Sequence, residues 1–570
     1  MKLNFILSAL LSACLWLPVN IAFANVRTSK MFGDNMILQR GMAVPIFGWA
    51  DPGEQVQVDF MGKAYKATTG ADGKWKMKLG TYKAGGPYEM RISGKGNVLN
   101  YSNILIGEVW LASGQSNMEF GIQTDKNGKD AIAKATDNQI HFLYVPMMLS
   151  LTRQDDMAKL NENDLVNARW VVCSPEVLAT KGFAWNGFSA VGYYFAQQIR
   201  KATGVPVGMI GSYRGGTPAQ SWMTREGLAK YPAFTKYVDK YDYLLKNYET
   251  AKATYPQRQV LYRDSLKIWK AEVEPVYNQI LKQWDADVLA ARAKGLSVPV
   301  RPKPSRPMPI NPTDPLGGYQ SPTVCFNGVI APIVGYGIKG VIWYQGESNG
   351  DSFNDAVEYK DLFPSMITNW REEWGQGDFP FLYVQLPNFR AEALNPSSGN
   401  WPWLREAQEK TLALANTGMA ITTDAGEAMD IHPSDKSAPG NRLGLVALHS
   451  VYGKKVVSSG PIYKSMKVEG NKIIISFDEI NKGLVVGRPN ADGIVTNEPT
   501  GLKGFGIAGA DHKFVWATAV IAGNKIIVSA DGINNPEAVR YNWADNPPGN
   551  LYNKNGLPAR PFRTDAWAPL

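Results

Sequence analysis

A serine directly follows an apolar stretch in the first quarter of the chain. The segment reads EVWLASGQSNME over residues 108–119, with Ser116 just after the apolar run. A serine on a sharp turn between a buried strand and a helix could attack an ester, because nearby backbone N–H groups would stabilise the developing oxyanion. A serine there is also typical of a helix N-cap. The segment alone leaves both roles open, and the cap is the commoner of the two.

A second serine has a similar setting much later in the chain. Ser348 lies in VIWYQGESNG, where residues 346–350 match the Gly-x-Ser-x-Gly motif that presents a nucleophile between a strand and a helix. This motif alone favours Ser348 over Ser116. The sequence therefore offers two candidate nucleophiles.

A serine nucleophile needs an imidazole base that is itself oriented by an acid. His432 is the best candidate among four histidines, in the segment DAGEAMDIHPSDKSAPGNRLG that follows the apolar run MAITTD. Pro433 restricts His432 to an extended backbone, which would put Asp430 on the same side of the chain. The remaining histidines fall in a strand-like segment, a helical pattern and the C-terminal β region, and they are weaker candidates: His141, His449 and His512.

Two consecutive glycines offer backbone donors to a ligand. Gly215 and Gly216 follow the apolar run VPVGMIGS, and glycine lets backbone N–H groups approach a bound group closely. An ordinary turn explains the pair equally well. The sequence contains no CxxC and no HExxH motif, so we expect no metal site.

The elements that must position these residues change character along the chain. Residues 25–105 alternate polar and apolar positions, as in QVQVDF, and AYKATTGADGKWKMKL reads as two strands joined by a turn. Both patterns predict an N-terminal β-sandwich domain. Residues 106–454 combine near-continuous apolar runs with helical patterns, which predicts an α/β domain with a parallel sheet and chemistry at the carboxyl ends of its strands. Charged amphipathic patterns at 224–310 predict a helical insertion in that domain.

The C-terminal part returns to β patterns. Residues 455–570 predict a β-rich, sandwich-like domain. GNKIIISF at 470–477 and GNKIIVSA at 523–530 are near-copies, and each predicts the second strand of a hairpin whose turn contains Gly-Asn.

Composition and the N-terminus limit the class of protein. A chain of 570 residues is too long for one core, and its net charge of +9 is dispersed, which argues against nucleic acid as a partner. Residues 1–24 read as a secretory signal, so we expect a secreted or periplasmic protein, with lipoprotein anchoring at Cys14 as a minor alternative. We expect no integral membrane span after the signal. Cys173 and Cys325 either pair or remain buried thiols.

Several long blocks, in the same order, resemble the sialate O-acetylesterases of the SGNH-hydrolase group, whose relatives include acetylesterases for acetylated xylan. The blocks are GEVWLASGQSNM, SYRGGTPAQSWM, NGVIAPIVGYGIKGVIWYQGESN and DIHPSDKSAPGNRLG. The resemblance continues in MFGDNMILQRGMAVPIFGWADPGEQVQV and VRYNWADNPPGNLYNKNGLPARPFRTD, so it covers nearly all of the chain after the signal. It implies a three-layer SGNH-hydrolase-like α/β domain flanked by β-sandwich-like domains.

The resemblance also decides between the two serines. The family's nucleophile lies in the Gly-Gln-Ser-Asn block, which implies Ser116 and makes Ser348 a positioning residue. The resemblance implies His432 as general base, with Asp430 as its acid. The oxyanion donors it implies are the N–H groups of Ser116, Gly215 and Gly216 and the side-chain amide of Gln345. The residues expected to contact the substrate lie in the same blocks: Gln115, Asn117, Arg214, Trp222, Trp343, Glu347 and Asn349, with Tyr344 as a further candidate. For the three aromatic residues of this set, packing in the core is the competing role.

The sequence departs from the general SGNH pattern at two points. The pattern places the acid three positions before the histidine, whereas Asp430 precedes His432 by two, so a triad and a Ser-His dyad both stay open. Ser348 replaces the usual asparagine of the third block, so the amide donor would be Gln345 or Asn349, of which Gln345 is preferred. Arg214 stands where many relatives have tryptophan, and it could bind a substrate carboxylate bidentately; an arginine at the rim of the site is an equally good interpretation.

Together these features predict a serine esterase that removes O-acetyl groups from sialic acids without a cofactor. The expected partner is an O-acetylated sugar or glycan. Acetylated xylan or another plant glycan is the alternative substrate, and a non-catalytic glycan-binding protein is the third hypothesis.

Overall fold

The computed structural model describes residues 25–158, 168–180, 185, 187–293, 297, 299–397, 399–489, 495–497 and 501–567. The expected signal at 1–24, including Cys14, lies outside these residues. The strands of the N-terminal part are β1 (Arg27–Thr28), β2 (Ile37–Gln39), β3 (Ala43–Trp49), β4 (Gln55–Phe60), β5 (Lys63–Thr68), β6 (Lys74–Thr81), β7 (Gly85–Ser93) and β8 (Val98–Gly114).

The central part alternates strands and helices along the chain. Its elements are α1 (Ser116–Glu119), α2 (Gly128–Ala133), β9 (Ile140–Tyr144), β10 (Trp170–Val172), α3 (Pro175–Leu178), α4 (Ala190–Thr203), β11 (Val207–Tyr213), α5 (Arg225–Ala229), α6 (Thr235–Glu272), α7 (Glu274–Ala293), β12 (Gly340–Tyr344), α8 (Phe353–Trp374), β13 (Phe381–Val384), α9 (Trp401–Lys410), β14 (Thr417–Ala420) and α10 (Ser437–Ser450).

The C-terminal part contains strands only among its described regular elements. They are β15 (Ile462–Glu469), β16 (Lys472–Asp478), β17 (Leu484–Pro489), β18 (Val495–Asn497), β19 (Phe505–Ala508), β20 (Val515–Trp516), β21 (Thr518–Ala522), β22 (Lys525–Ser529), β23 (Ala538–Tyr541), β24 (Leu551–Asn553) and β25 (Phe562–Arg563).

The N-terminal strands bury alternate side chains, as expected. QVQVDF forms β4, and Val56, Val58 and Phe60 are its buried positions. The segment predicted as two strands joined by a turn forms β5 and β6, but these strands do not pair with each other. Strand β5 pairs with β4, whereas β6 pairs with β3 in a separate three-stranded sheet. Crossing between sheets lets β6 bury Trp75 and Leu79 in the same apolar core as β4.

Strand β8 belongs to two parts of the fold at once. Its 17 residues pair first with β7 and β2, and its second half pairs with β11 and β12. The boundary predicted between residues 105 and 106 falls inside this continuous strand.

The apolar runs predicted as parallel strands form the central sheet. Its order is β10-β9-β11-β8-β12-β13-β14, and all neighbouring pairs except β10-β9 are parallel. The prediction of buried parallel strands is confirmed, since every residue of β11, β12 and β13 is buried.

Helices cover both faces of this sheet, because successive strand residues point to opposite sides. Trp110 and Ala112 of β8 pack in a core with residues of α4 and α10. Val109 and Leu111, from the same strand, pack in a second core with residues of α8. The prediction of a mixed α/β fold is therefore confirmed.

The amphipathic patterns at 224–310 form α5, α6 and α7. The start of α6 is attached to the rest of the chain by two tyrosines: Tyr237 donates to Glu358 on α8, and Tyr241 donates to the Leu151 carbonyl. None of the helices that the structure describes is long and apolar enough to cross a membrane.

The two near-copies in the C-terminal part form β16 and β22, each the second strand of a hairpin. They also pair with each other, antiparallel, in the sheet β15-β16-β22-β21. The predicted hairpins are confirmed.

One buried arginine joins the C-terminal part to the central part. Arg405 of α9 is 0% exposed and donates to the carbonyls of Leu386, Pro387, Ala544 and Asp545. Burying a guanidinium is costly unless its donors are satisfied, and here four carbonyls accept from it. The two cysteines left open by the sequence are buried free thiols, Cys173 and Cys325.

Candidate active site

Loops from several central strands meet at the carboxyl edge of the sheet. They line a cavity of about 620 Å³ that opens to solvent. This edge is where ligands bind in open α/β sheets. The predicted residues that line the cavity are Gln115, Ser116, Arg214, Gly215, Gly216, Glu347, Ser348 and His432.

Ser116 is the first residue of α1 and not its cap. The N-cap position is Gln115, whose side chain makes no capping hydrogen bond. Gly114 precedes it with a φ of +137°, and a Cβ on Gly114 would lie 2.2 Å from the Tyr344 carbonyl oxygen. Only glycine allows β8 to lie this close to β12 while turning into α1. The helix-cap alternative for Ser116 is therefore wrong.

His432 lines the same cavity from the loop after β14. Its ring stands edge-to-face against Trp185, with ring centroids 4.8 Å apart. The backbone N–H of His432 donates to Asp430 Oδ1 at 2.8 Å, and Nδ1 lies 3.4 Å from the same oxygen. Asp430 is largely exposed, with 59% of its side chain accessible. The acid thus lies beside the imidazole, in contact with water.

Burial lowers the pKa of His432 below its usual value of 6.5. The charge on Asp430 opposes this shift, whereas the nearby Lys436 ammonium adds to it. A depressed pKa keeps the imidazole neutral near pH 7, which is the form that can accept a proton.

The glycine pair lies directly against the serine. A Cβ on Gly215 would lie 3.3 Å from Ser116 Cβ, so a side chain there would crowd the serine. The N–H of Gly215, however, donates to Glu119 Oε2. Gly216 has a φ of +73° and also lines the cavity. Of the two glycines, Gly215 already uses its N–H inside the protein, whereas the Gly216 N–H donates to no other described residue.

The structure does not bring Gln345 to the cavity. Its side chain is 0% exposed, and Nε2 donates to the Thr217 carbonyl at 3.2 Å and to Asn349 Oδ1 at 2.9 Å. Its Oε1 accepts from Tyr359 at 2.8 Å. Both amide hydrogens are therefore used inside the protein, so the expectation that Gln345 donates to an oxyanion is not met by this geometry.

Gln115 is the side-chain amide that does line the cavity. Its Oε1 accepts from the Ser348 backbone N–H at 3.2 Å. This bond fixes the amide group and leaves Nε2 as a candidate donor to a bound ester. The sequence had indicated Gln115 only as a substrate contact.

The predicted aromatic contacts lie in the core and not in the cavity. Trp222 and Trp343 are both 0% exposed and pack edge-to-face with centroids 5.8 Å apart. Tyr344, next to Trp343 on β12, is also buried. Trp343 and Tyr344 are buried because β12 lies in the middle of a sheet covered on both faces, and Trp222 is buried because it packs on Trp343 in the same core. Asn349 is also buried; its Oδ1 accepts from the Ala219 N–H and so ties the loops after β11 and β12 together.

Asn117 connects three loops beneath the cavity. Its Nδ2 donates to Glu347 Oε1 and to the Ile431 carbonyl. The serine helix, the loop after β12 and the histidine loop are thereby held in one arrangement. Burial raises the pKa of the Glu347 carboxyl, and the Asn117 bond and the charge on Lys436 oppose that rise.

Two charged residues at the site were missed from the sequence. Glu119 lines the cavity beside Arg214, and its burial raises the pKa of its carboxyl. Lys436 is 1% exposed, its ammonium lies 4.0 Å from the centroid of the Phe120 ring, and burial lowers its pKa to about 8. Glu119 ends the segment 108–119 and is three residues from Ser116, and Lys436 is four residues from His432, so proximity in the sequence was the available signal.

Arg214 presents a cation to the cavity. Its guanidinium carbon lies 5.4 Å from the centroid of the Tyr319 ring, and its Nε is buried without a hydrogen-bond partner. Among the described residues, no carboxylate oxygen lies within 4.0 Å of an Arg214 nitrogen as an ion pair. An arginine in this state can bind a planar anionic group. Within the described part of the chain, no cluster of three metal-ligating side chains is present.

Comparison with known proteins finds carbohydrate esterases. Residues 329–446 match the family model described as carbohydrate esterase, sialic acid-specific acetylesterase. The chain is 25% identical over 575 residues to the sialate O-acetylesterase of Rattus norvegicus, covering 94% of each chain. It is 24% identical to the sialate O-acetylesterase of Homo sapiens, covering 98% of this chain and 96% of the relative.

A solved structure shows the same likeness in three dimensions. A carbohydrate acetylesterase from Xanthomonas citri is 33% identical, with a TM-score of 0.72 and coverage of 95% of this chain and 100% of the other. The protein is an esterase, and its chain belongs to the sialate O-acetylesterase family of carbohydrate esterases.

Proposed function

We propose that the protein removes O-acetyl groups from sialic acids through an acetyl-serine intermediate. The observation that supports this most directly is the convergence of Ser116 and His432 on one cavity that also holds the guanidinium of Arg214. A serine and a neutral imidazole supply acyl transfer. The arginine supplies a partner for the carboxylate that distinguishes sialic acids from neutral sugars.

In the first half-reaction His432 takes the proton from Ser116 Oγ as that oxygen attacks the acetyl carbonyl carbon. The negative charge that develops on the carbonyl oxygen is stabilised by hydrogen-bond donors around the serine. The donors we assign are the N–H groups of Ser116 and Gly216 and the Nε2 of Gln115. The N–H of Gly215 donates to Glu119. Because Gly215 has no side chain, the loop after β11 can lie directly against Ser116.

In the second step the bond between the carbonyl carbon and the sugar oxygen breaks. The sugar oxygen takes the proton from His432 and leaves as an alcohol. A water molecule then gives a proton to His432 and attacks the acetyl-serine carbonyl carbon. The bond from that carbon to Ser116 Oγ breaks, His432 returns the proton to Oγ, and acetate is released.

The order of the blocks supports assigning the central part to the SGNH-hydrolase group. The serine follows β8, the glycine pair follows β11, the Gln-Gly-Glu block follows β12 and the histidine follows β14. We also propose the division into units at 25–105, 106–454 and 455–570, with 224–310 as the insertion, although β8 crosses the first boundary.

Substitution of Arg214 should separate anionic from neutral substrates. We expect Arg214→Met to lower kcat/KM for an O-acetylated sialic acid about 10- to 100-fold, mainly through KM. The reason is the loss of a charge-assisted hydrogen bond of about 1.5–3 kcal/mol. Acetate release from 4-nitrophenyl acetate should change little, because that ester carries no carboxylate. Equal losses on both esters would argue against a carboxylate-binding role.

Acetylated xylan is the second candidate substrate, because the Xanthomonas citri relative is described only as a carbohydrate acetylesterase and is the more similar in sequence. Acetate release measured in parallel from O-acetylated sialic acid and from acetylated xylo-oligosaccharides decides between them. A preference for the xylo-oligosaccharides, unaffected by Arg214→Met, would overturn the sialate proposal.

Asp430 should contribute modestly to catalysis. We expect Asp430→Asn to lower kcat about 10- to 100-fold, because a hydrogen bond to a charged group contributes about 1.5–3 kcal/mol and this carboxylate is largely exposed. Steady-state acetate release at saturating substrate measures the effect. A loss of about 10⁴-fold would mean that Asp430 acts as the acid of a full triad, and no loss would indicate a dyad.

A further inference from the structure

A second cavity, of about 310 Å³, lies where the central and C-terminal parts meet. It is formed by the start of α8, the start of α9 and the C-terminal strands. Its wall is aromatic, contributed by Phe353, Trp403, His512, Phe514, Trp543 and Trp567. Ligand pockets begin at about this volume, and it is large enough for a sugar ring.

The rings around this cavity include two closely packed pairs. His512 lies flat on Trp567, with centroids 3.8 Å apart and an interplanar angle of 12°. Trp403 and Trp543 meet edge-to-face at 5.5 Å. Trp543 is only 4% exposed, and its indole N–H donates to no other described residue. Aromatic rings beside an N–H donor that no described residue uses suit a sugar, which presents C–H groups on its faces and hydroxyls at its edge.

The charges at this cavity are already neutralised inside the protein. Arg540 donates to both oxygens of Asp565 and to the Ser397 hydroxyl. Arg563, which stacks on Trp403, donates to both oxygens of Glu406. Because neither guanidinium is left to pair with an anion, the cavity suits an uncharged ligand.

This second cavity adjoins the one that holds Ser116. Asp351 lines the serine cavity, and its carbonyl accepts a hydrogen bond from Asn400 Nδ2 at 3.0 Å. Asn400 lines the aromatic cavity. Phe353, also in the aromatic wall, is two residues from Asp351, so at most about 7 Å of chain separates them. A glycan that leaves the serine cavity past Asp351 would therefore meet the aromatic wall.

We propose that the aromatic cavity is a saccharide-binding subsite, which holds an uncharged sugar ring of the glycan beyond the residue that is deacetylated. This inference rests on the proposed function, because it assumes a carbohydrate at the serine. The protein would then prefer an O-acetylated oligosaccharide to the corresponding free acetylated monosaccharide, since only the oligosaccharide reaches both cavities.

Trp567→Ala tests the subsite, with Trp516→Ala as the matched control. Trp567 is a half-buried ring of the cavity, whereas Trp516 is a half-buried tryptophan of β20 outside it. We expect Trp567→Ala to lower kcat/KM about 3- to 10-fold on an O-acetylated sialyl trisaccharide, as expected for a lost ring contact. The kcat/KM of Trp567→Ala on the free O-acetylated sialic acid should stay unchanged. The kcat/KM of Trp516→Ala should stay unchanged on both substrates. Equal losses on trisaccharide and monosaccharide would overturn the subsite.

A binding measurement separates this inference from the proposed function. Non-acetylated sialyllactose is titrated calorimetrically into the Ser116→Ala protein, with and without Trp567→Ala. We expect Trp567→Ala to raise the Kd for sialyllactose about 3- to 10-fold. An unchanged Kd, or the absence of binding to both proteins, would overturn the subsite. If the wild-type protein releases no acetate from any sialoside, the proposed function is wrong. The titration is then repeated with xylotetraose in place of sialyllactose, and the change in Kd on Trp567→Ala again decides whether the subsite exists.

Discussion

Replacing Ser116 with alanine is expected to lower kcat for acetate release about 10⁴- to 10⁶-fold while the fold remains intact. Loss of the nucleophile removes the covalent pathway, and what remains comes from binding and the oxyanion donors alone. Folding should survive because α1 is only four residues long and its backbone hydrogen bonds do not involve the serine side chain. Acetate release from 4-nitrophenyl acetate and from O-acetylated sialic acid measures the effect, and circular dichroism with thermal unfolding reports the fold.

Ser348→Ala is the matched control for this experiment. Ser348 contacts Gln115 through its backbone N–H, which alanine keeps, so activity should stay within a few-fold of wild type. Acetate release that survives in Ser116→Ala and disappears in Ser348→Ala would reverse the assignment of the nucleophile.

The second large effect is expected at His432. His432→Asn should lower kcat about 10⁴- to 10⁶-fold, because asparagine cannot accept the proton of the serine hydroxyl. In the wild-type protein, kcat/KM should fall as the pH drops through the pKa of His432, since the protonated imidazole is no longer a base. Because burial lowers that pKa, the midpoint of this acid limb should lie below 6.5. A midpoint well above 6.5 would contradict the assignment of His432 as base.

Two substitutions should move this acid limb in opposite directions. Asp430→Asn removes a negative charge that favours the imidazolium, so the pKa of His432 falls and the limb moves to lower pH. Lys436→Met removes a positive charge that disfavours the imidazolium, so the limb moves to higher pH. Profiles of kcat/KM against pH measure both shifts. Shifts in the same direction would mean that another group controls the limb.

The strands of the central sheet could be predicted because burial on both faces restricts composition. Runs such as EVWLAS and KGVIWYQ tolerate almost no polar residue, and this pattern is visible in one sequence. The same cause explains the errors. Trp222 and Trp343 are buried loop and strand residues. The residue type alone does not distinguish a tryptophan that packs in the core from one that stacks on a sugar.

The details of the site depend on hydrogen bonds that no local pattern contains. Gln345 lies one residue after a central strand, so it was a reasonable donor, but Thr217 and Asn349 already accept both of its amide hydrogens. Glu119 accepts the Gly215 N–H from 96 residues away. Such long-range partners decide which donors remain for a substrate, and spacing along the chain does not reveal them.

The continuity of β8 limits how this protein can be divided or recombined. One uninterrupted strand pairs with the N-terminal sheet at its start and ends a single residue before the N-cap of the serine helix. Cutting the chain near residue 105 would remove β2 and β7, the strands that pair with Ile106 and Gly107, while β11 and β12 would still flank the end of β8. It would also expose the part of the shared apolar core that the N-terminal strands cover. A one-residue insertion before residue 105 could shift the register of the strand. If the shift extended into the second half of β8, its side chains would move to the opposite face of the sheet. The N-terminal sheet and the serine helix are therefore structurally coupled through β8, and the sheet cannot be exchanged as a separate module.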